Sequence, residues 1–302
     1  MSSSLQLPSG LSITGGIPIK SQDLAPSIIF IVAYVILTPL AVFRIARKES
    51  RSTTLIRPTI FIVVRIATYI MRAIQANGNY AEALFIVEQV FLLAGFPIIC
   101  EAILSLLESH ITRTHTSSKQ GQITQRVTRL LRIALLVALI IGIVAGTQYS
   151  SALSDPSKLD TLRTLRNVNA GLCLAIVVGV IVVVLIAQVH KNLPIHPTIL
   201  LVFMAGCLVV AGAYRLIMIH TTSPPLSIAT KAKFYILLTL MEWLVTATLF
   251  AFNIRLLFAE DLAKEKKNAA KRGEQQGQVP YEQVPMGTRS SNQHYKDPYA
   301  SA

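Results

Sequence analysis

Residues 64–89 read VRIATYIMRAIQANGNYAEALFIVEQ. Both ends run into strongly apolar sequence, yet the stretch carries Arg65, Arg72, Glu82 and Glu88, divided by a small polar break at Asn77-Gly78-Asn79. A charge at the centre of a bilayer costs at least about 2.5 kcal/mol, so charges kept there face a bundle interior, pair, or mark a site. Two readings are open: a failed membrane span, or two spans joined by a tight turn with their charges turned inward. The rest of the chain favours the second.

Of 302 residues, 52% are hydrophobic and 14% charged, against about 25% charged in a typical soluble domain. The apolar residues come in blocks near the roughly 20 residues a spanning helix needs. Seven blocks fit, at about 24–43, 57–76, 81–107, 130–149, 168–189, 197–219 and 233–257. The expected fold class is therefore all-α: an integral membrane bundle of seven transmembrane helices. Residues 1–23, rich in Ser, Gly and Pro, read as a flexible extracytoplasmic N-terminus without a cleavable signal peptide. Residues 24–258 form the transmembrane domain. Residues 259–302 read as a cytoplasmic tail, first a helical extension and then a Pro-containing disordered stretch.

The net charge of +13 would suggest nucleic acid in a soluble protein. Here the basic residues flank apolar blocks and no stacking aromatics accompany them, so they read as topology signals and contacts to anionic lipid, with no nucleic-acid partner. Counting Lys and Arg near the span ends puts sixteen on one side, among them Arg44, Arg57, Arg126, Arg129, Arg132 and Lys264. The other side has six: Lys20, Lys158, Arg163, Arg166, Lys231 and Lys233. The bias places the N-terminus outside and the C-terminus in the cytoplasm.

Within the spans, Arg65, Arg72, Glu88, Arg215 and Glu242 are the candidate site residues. Arg65 and Arg72 are seven apart and share a helix face. At about 1.5 Å rise per residue, Glu88 on the next, antiparallel span falls between their depths. The spacing predicts an Arg72–Glu88 or Arg65–Glu88 ion pair, and a second pair between Arg215 and Glu242. Glu101, near the cytoplasmic end of its span, is expected to snorkel, and Glu82 to be wet. The five charges either clamp helices together or line a polar cavity for a ligand, ion or proton.

Several chemistries find no support. Cys100, Cys173 and Cys207 all lie in apolar blocks, away from loops where a disulfide partner could reach. The seventh block has no central lysine for a retinal Schiff base, and the switch motifs of typical seven-helix receptors are missing. The histidines form no metal set, and no P-loop, nucleophile elbow or dinucleotide fingerprint occurs. The expectation is no enzyme, no cofactor and no metal.

RPTIFIVVRIATYIMRAIQANGNYAEALFIVEQVFLLAGFPIICEAILSLLESH (57–110) resembles the second and third helices of an uncharacterised fungal multi-pass family known only as a domain of unknown function. VAGAYRLIMI and KAKFYILLTLMEWLVTATLFAFNIRLL are similar to its last two helices, with an arginine in the sixth and a glutamate in the seventh. A weaker similarity is to fungal RTA-like lipid-translocating exporters: TYIMR and YRLIM match their Gly-Tyr-x-x-Arg and Tyr-Arg-x-x-Glu patterns, with Thr68 in place of the glycine and Met218 in place of the glutamate. Either resemblance implies an integral protein of the plasma membrane or an endomembrane in a fungal cell. The functional expectation is a transporter, exporter or stress-response protein handling lipids or a small amphipathic ligand. The alternative is a seven-helix ligand-sensing receptor, its basic cytoplasmic loops and tail meeting cytoplasmic partners. Membrane lipids are the expected partners in both cases, and nothing in the sequence bears on oligomeric state.

Overall fold

Each apolar block becomes a helix, and each helix ends where its local chemistry demands. The computed structural model describes residues 12–47, 50–112, 118–191, 193–221 and 226–258. α1 (Ala25–Ala46) follows one π-helical turn, Lys20–Leu24, and has Pro26 in its first turn, where the missing N–H has no helical partner to lose. α2 (Ile56–Ala76) ends at Asn77, and Gly78 follows with φ +103°, the left-handed conformation that glycine adopts without strain. That turn sends the chain straight back as α3 (Glu82–Thr112), so the polar break is a hairpin between antiparallel helices. α4 (Ser118–Ser154) and α5 (Leu159–Lys191) are joined through Asp155, whose carboxylate accepts from the Ser157 N–H at 3.0 Å. The Ser157 hydroxyl and N–H hold that carboxyl below its ordinary range. α6 is Ile195–His220, and α7 is Ile228–Ala251 with a π-helical stretch at Phe234–Leu240.

Two expectations are corrected here. The seventh span, expected over 233–257, starts earlier and stops at Ala251. Phe252 is extended, and the Asn253 side chain caps a separate short helix, α8 (Ile254–Leu257). Residues 12–23, expected to be flexible, are folded into the bundle: Ile13, Thr14 and Asp23 are buried. The reason is electrostatic and apolar at once. Asp23 meets buried cations, and Ile13 joins Phe85, Tyr149 and Leu162 in a small apolar cluster. The tail expected over 259–302 lies outside the described residues.

The helices form a ring in chain order, closed by contact of α1 with α7, and α3 runs through the middle against α2, α4, α5 and α6. This explains why α3 carries apolar residues on every side rather than in one stripe, since such a helix must be enclosed. The outer surfaces show the reverse. Ile29, Val32 and Ile36 on α1, Ile133, Leu136 and Ile140 on α4, and Val182, Ile186 and Val189 on α5 are all exposed, each set at helical spacing. Such continuous apolar surface is not sustained in water; it fits acyl chains. Seven helices are long and apolar enough to cross a bilayer, and no strand occurs among the described residues.

α3 and α4 approach closely through Gly142 and Gly146. A Cβ on Gly146 would stand 2.7 Å from the Val90 Cα, and one on Gly142 would stand 3.2 Å from the Leu93 carbonyl oxygen. Glycines four apart on an apolar helix permit this contact.

Candidate functional site

The five candidate residues meet in two clusters. In the first, Arg72 is fully buried and makes a fan of hydrogen bonds. Its Nη1 donates to Glu88 Oε1 (2.7 Å), its Nη2 to Asp23 Oδ1 (2.7 Å) and the Gly15 carbonyl (2.6 Å), and its Nε to the Tyr235 hydroxyl (3.1 Å). Gln75, three residues on along the same α2 face, donates to Glu88 Oε2 at 2.7 Å. Lys231 binds Asp23 Oδ2 at 2.8 Å and donates to the Ile17 carbonyl. Two cations and two carboxylates therefore balance. The guanidinium also lies 4.6 Å from the Phe234 ring centre, a favourable cation–π position. The two π-helical segments supply Asp23 on one side and Phe234 with Tyr235 on the other; such irregular turns re-aim side chains that a regular helix would place elsewhere.

The second cluster lies about two turns along α2. Glu242 Oε1 accepts from Arg65 Nη2 at 2.8 Å and from Arg215 Nη2 at 3.1 Å. Arg65 Nη1 also donates to the Phe91 carbonyl (3.2 Å) and Arg215 Nη2 to the Leu92 carbonyl (2.6 Å). These carbonyls lie on α3 five and six residues before Pro97, and each accepts the guanidinium bond in addition to its place in the helix. Gly95 completes the fit, because a Cβ there would lie 3.1 Å from Arg65 Nη2. Here two cations share one carboxylate. Arg215 is left with Nε and Nη1, and Arg65 with Nε, buried and without a hydrogen-bond partner.

The pairing thus differs in part from the sequence expectation. Arg72 takes Glu88, Arg215 takes Glu242, and Arg65 takes Glu242 rather than Glu88. The hairpin register brings Glu88 level with Arg72, about 10 Å along the helix from Arg65. Neither of the two cavities described is lined by any of the five residues.

Sequence reasoning passed over three buried charges. Asp23 was placed in a flexible segment, and Lys231 and Arg166 were counted as rim charges. Lys231 is 2% and Arg166 3% exposed. Arg166 donates to the Ser12 carbonyl and to Thr14 Oγ1 (3.1 Å). Residues 12–23 thus form a strap whose carbonyls at Ser12, Gly15 and Ile17 each take a buried cation from α5, α2 and α7. The signal was available: one acidic residue, Asp23, at the edge of the first apolar block, with no other acid before it.

The larger described cavity is a groove of about 340 Å³ between α2, α3 and α4. Its volume lies at the lower end of the roughly 300–1,000 Å³ usual for small-molecule sites. Ile60, Pro97, Ile98, Leu135 and Leu139 make apolar walls. At the end of the groove near the start of α2 sit Arg57, Glu101 of α3 and Arg132 of α4. Arg57 pairs with Glu101 through Nε, and Arg132 binds Glu108 at 2.6 Å. Glu101 was expected to snorkel; it is instead 9% exposed and held by Arg57. Among the described residues, no His, Cys, Asp and Glu grouping could hold a metal ion.

These features define a multi-pass membrane protein with seven spanning helices, two buried charge clusters and a groove between α2, α3 and α4. Residues 22–257 match the family described as a domain of unknown function, DUF7702, and the chain belongs to that family. No curated protein and no solved structure matches it.

Proposed function

We propose that this protein handles lipids or other amphipathic molecules as a transporter or exporter. The groove between α2, α3 and α4 carries the reading: its apolar length adjoins lipid, and its charged end lies where the spans begin. An amphipath needs both, in that order. The packed, mutually bonded charges of the two clusters serve this reading as the rigid frame against which α2 and α3 hold the groove open. No step of chemical transformation belongs to it, so the protein is read as a carrier and not an enzyme. The resemblance to RTA-like lipid-translocating exporters, and with it a fungal membrane, fits the same reading. So does the excess of basic residues, which puts the groove's charged end at the cytoplasmic face.

The test is movement of a fluorescent short-chain lipid across proteoliposomes containing the full chain, measured by external quenching. Leu135→Trp, which fills the groove, should abolish protein-dependent movement, and removal of residues 259–302 should leave it intact. Unchanged movement in the Trp variant would overturn the groove reading. Absence of protein-dependent movement with the full chain would overturn the transporter reading and favour the receptor reading, in which the tail carries the output.

A further inference from the structure

We propose that the occupant of the groove is an anionic lipid, with one acyl chain against the apolar walls and its phosphate on Arg57 and Arg132. This rests on the groove reading above and adds the class of ligand. The argument is one of charge placement. Around the rim the two carboxylates lie underneath and the two guanidiniums above them. Side-chain exposure is 12% for Glu101 and 14% for Glu108, against 44% for Arg57 and 36% for Arg132. Glu101 takes the Arg57 Nε, which leaves both Nη groups of this half-exposed side chain for another acceptor. Glu108 and Ser105 take Arg132 Nη2, and Glu101 lies 3.5 Å from its Nε, which leaves Nη1. What the rim offers an incoming molecule is therefore N–H donors held in place from below. Paired guanidinium forks match phosphate oxygens in shape as well as charge.

Two further arginines, Arg126 and Arg129, are exposed on α4 beyond Arg132. They add positive charge on α4 within two turns of Arg132. From Arg132 to Leu139 the groove runs about 10 Å along α4 at the helical rise. A chain entering past the exposed Ile60 and Leu136 points into the bilayer while its head stays level with the start of the spans. Basic pockets between membrane helices bind acidic lipid head groups by this arrangement. A cationic or neutral head would meet the same outward donors without an acceptor for them.

The test uses the full chain in phosphatidylcholine nanodiscs, with lysophosphatidic acid or the matched monoacylglycerol added, and native mass spectrometry to count the retained molecule. The wild type should retain the phosphate-bearing lipid about tenfold or more over its neutral match, the difference expected from charge-assisted bonds. Arg57→Gln with Arg132→Gln should bring the two to parity. Arg57→Lys with Arg132→Lys, which keeps charge beside the carboxylates and so guards the fold, should show an intermediate preference. Equal retention of both lipids by the wild type would overturn the proposal and leave the groove reading standing. Leu139→Trp should lose both lipids, and retention of both in that variant would overturn the groove reading itself. Displacement by millimolar inorganic phosphate would identify a free-phosphate site and overturn the assignment to a lipid.

Discussion

Replacing Glu242 by Gln and Arg215 by Met should have unequal effects, although the two residues share one ion pair. Glu242→Gln removes the carboxylate that faces both Arg65 and Arg215 and leaves two buried cations together. Breaking a buried pair in this direction costs about 3–5 kcal/mol, and the second cation argues for the upper half of that range. Arg215→Met does the reverse. It removes the excess cation and the two Arg215 nitrogens, Nε and Nη1, that have no hydrogen-bond partner, while Arg65 keeps Glu242 at 2.8 Å. The change forfeits the bond to the Leu92 carbonyl and the stacking on Phe96, 4.6 Å from the guanidinium, roughly 1–3 kcal/mol together. A methionine sulfur against the same ring recovers part of that, and relief of the unpaired charge offsets the rest. Arg215→Met should therefore fall within about 1 kcal/mol of wild type, or exceed it. At roughly 2–4 °C per kcal/mol for a domain of this size, Glu242→Gln should melt about 10 °C or more below wild type and Arg215→Met within a few degrees of it. Thermal unfolding in nanodiscs reads both, and Trp243, the chain's one tryptophan, stands beside Glu242 as a local fluorescent reporter. If Arg215→Met falls as far as Glu242→Gln, the charge count argued for this cluster is wrong.

Three other outcomes follow from named contacts. Arg72→Met and Glu88→Gln should each destabilise, while the double variant should recover about 1–3 kcal/mol of their sum; additivity within about 0.5 kcal/mol would mean the two charges do not act as a pair. Gly95→Ala should lower stability by about 1–3 kcal/mol, because its methyl presses on an Arg65 guanidinium that Glu242 and the Phe91 carbonyl hold in place; a melt equal to wild type would show that Arg65 is free to shift. Gly146→Ala should destabilise more than Gly171→Ala, whose Cβ meets nothing within 4 Å, and matching melting temperatures for the two would refute the close α3–α4 contact.

The apolar blocks made the helices legible because a bilayer demands length and hydrophobicity whatever the tertiary partners. The pairing of Arg72 with Glu88 was legible for a similar reason: a tight turn fixes the register of adjacent antiparallel helices. The partner of Arg65 was not. Glu242 lies 177 positions further along the chain, and only the closing of the ring decides which helix faces which. Arg57 and Arg132 read as topology signals, and that role hid their place at the groove, since a basic residue at a span end serves both purposes equally well. Gly142 and Gly146 carried a signal that went unread: two glycines four apart in an apolar block mark close helix packing.

The strap at residues 12–23 bears on how the chain is made. Its anchors arrive in order of synthesis: Arg72 with α2, Arg166 with α5, and Lys231, Phe234 (packed against Gly15) and Tyr235 with α7. A segment made before α1 is thus among the last to find all its partners. Until α7 is inserted, Asp23 lacks Lys231 and the Ile17 carbonyl lacks its donor. The strap therefore works as a completion check, satisfied only in a chain carried through its final span. Cross-links between cysteines placed at 17 and 231 in nascent chains of increasing length should appear only once α7 has entered the membrane. A chain stopped after α6 keeps six spans and an unfastened strap, the kind of defect that membrane quality control is built to detect.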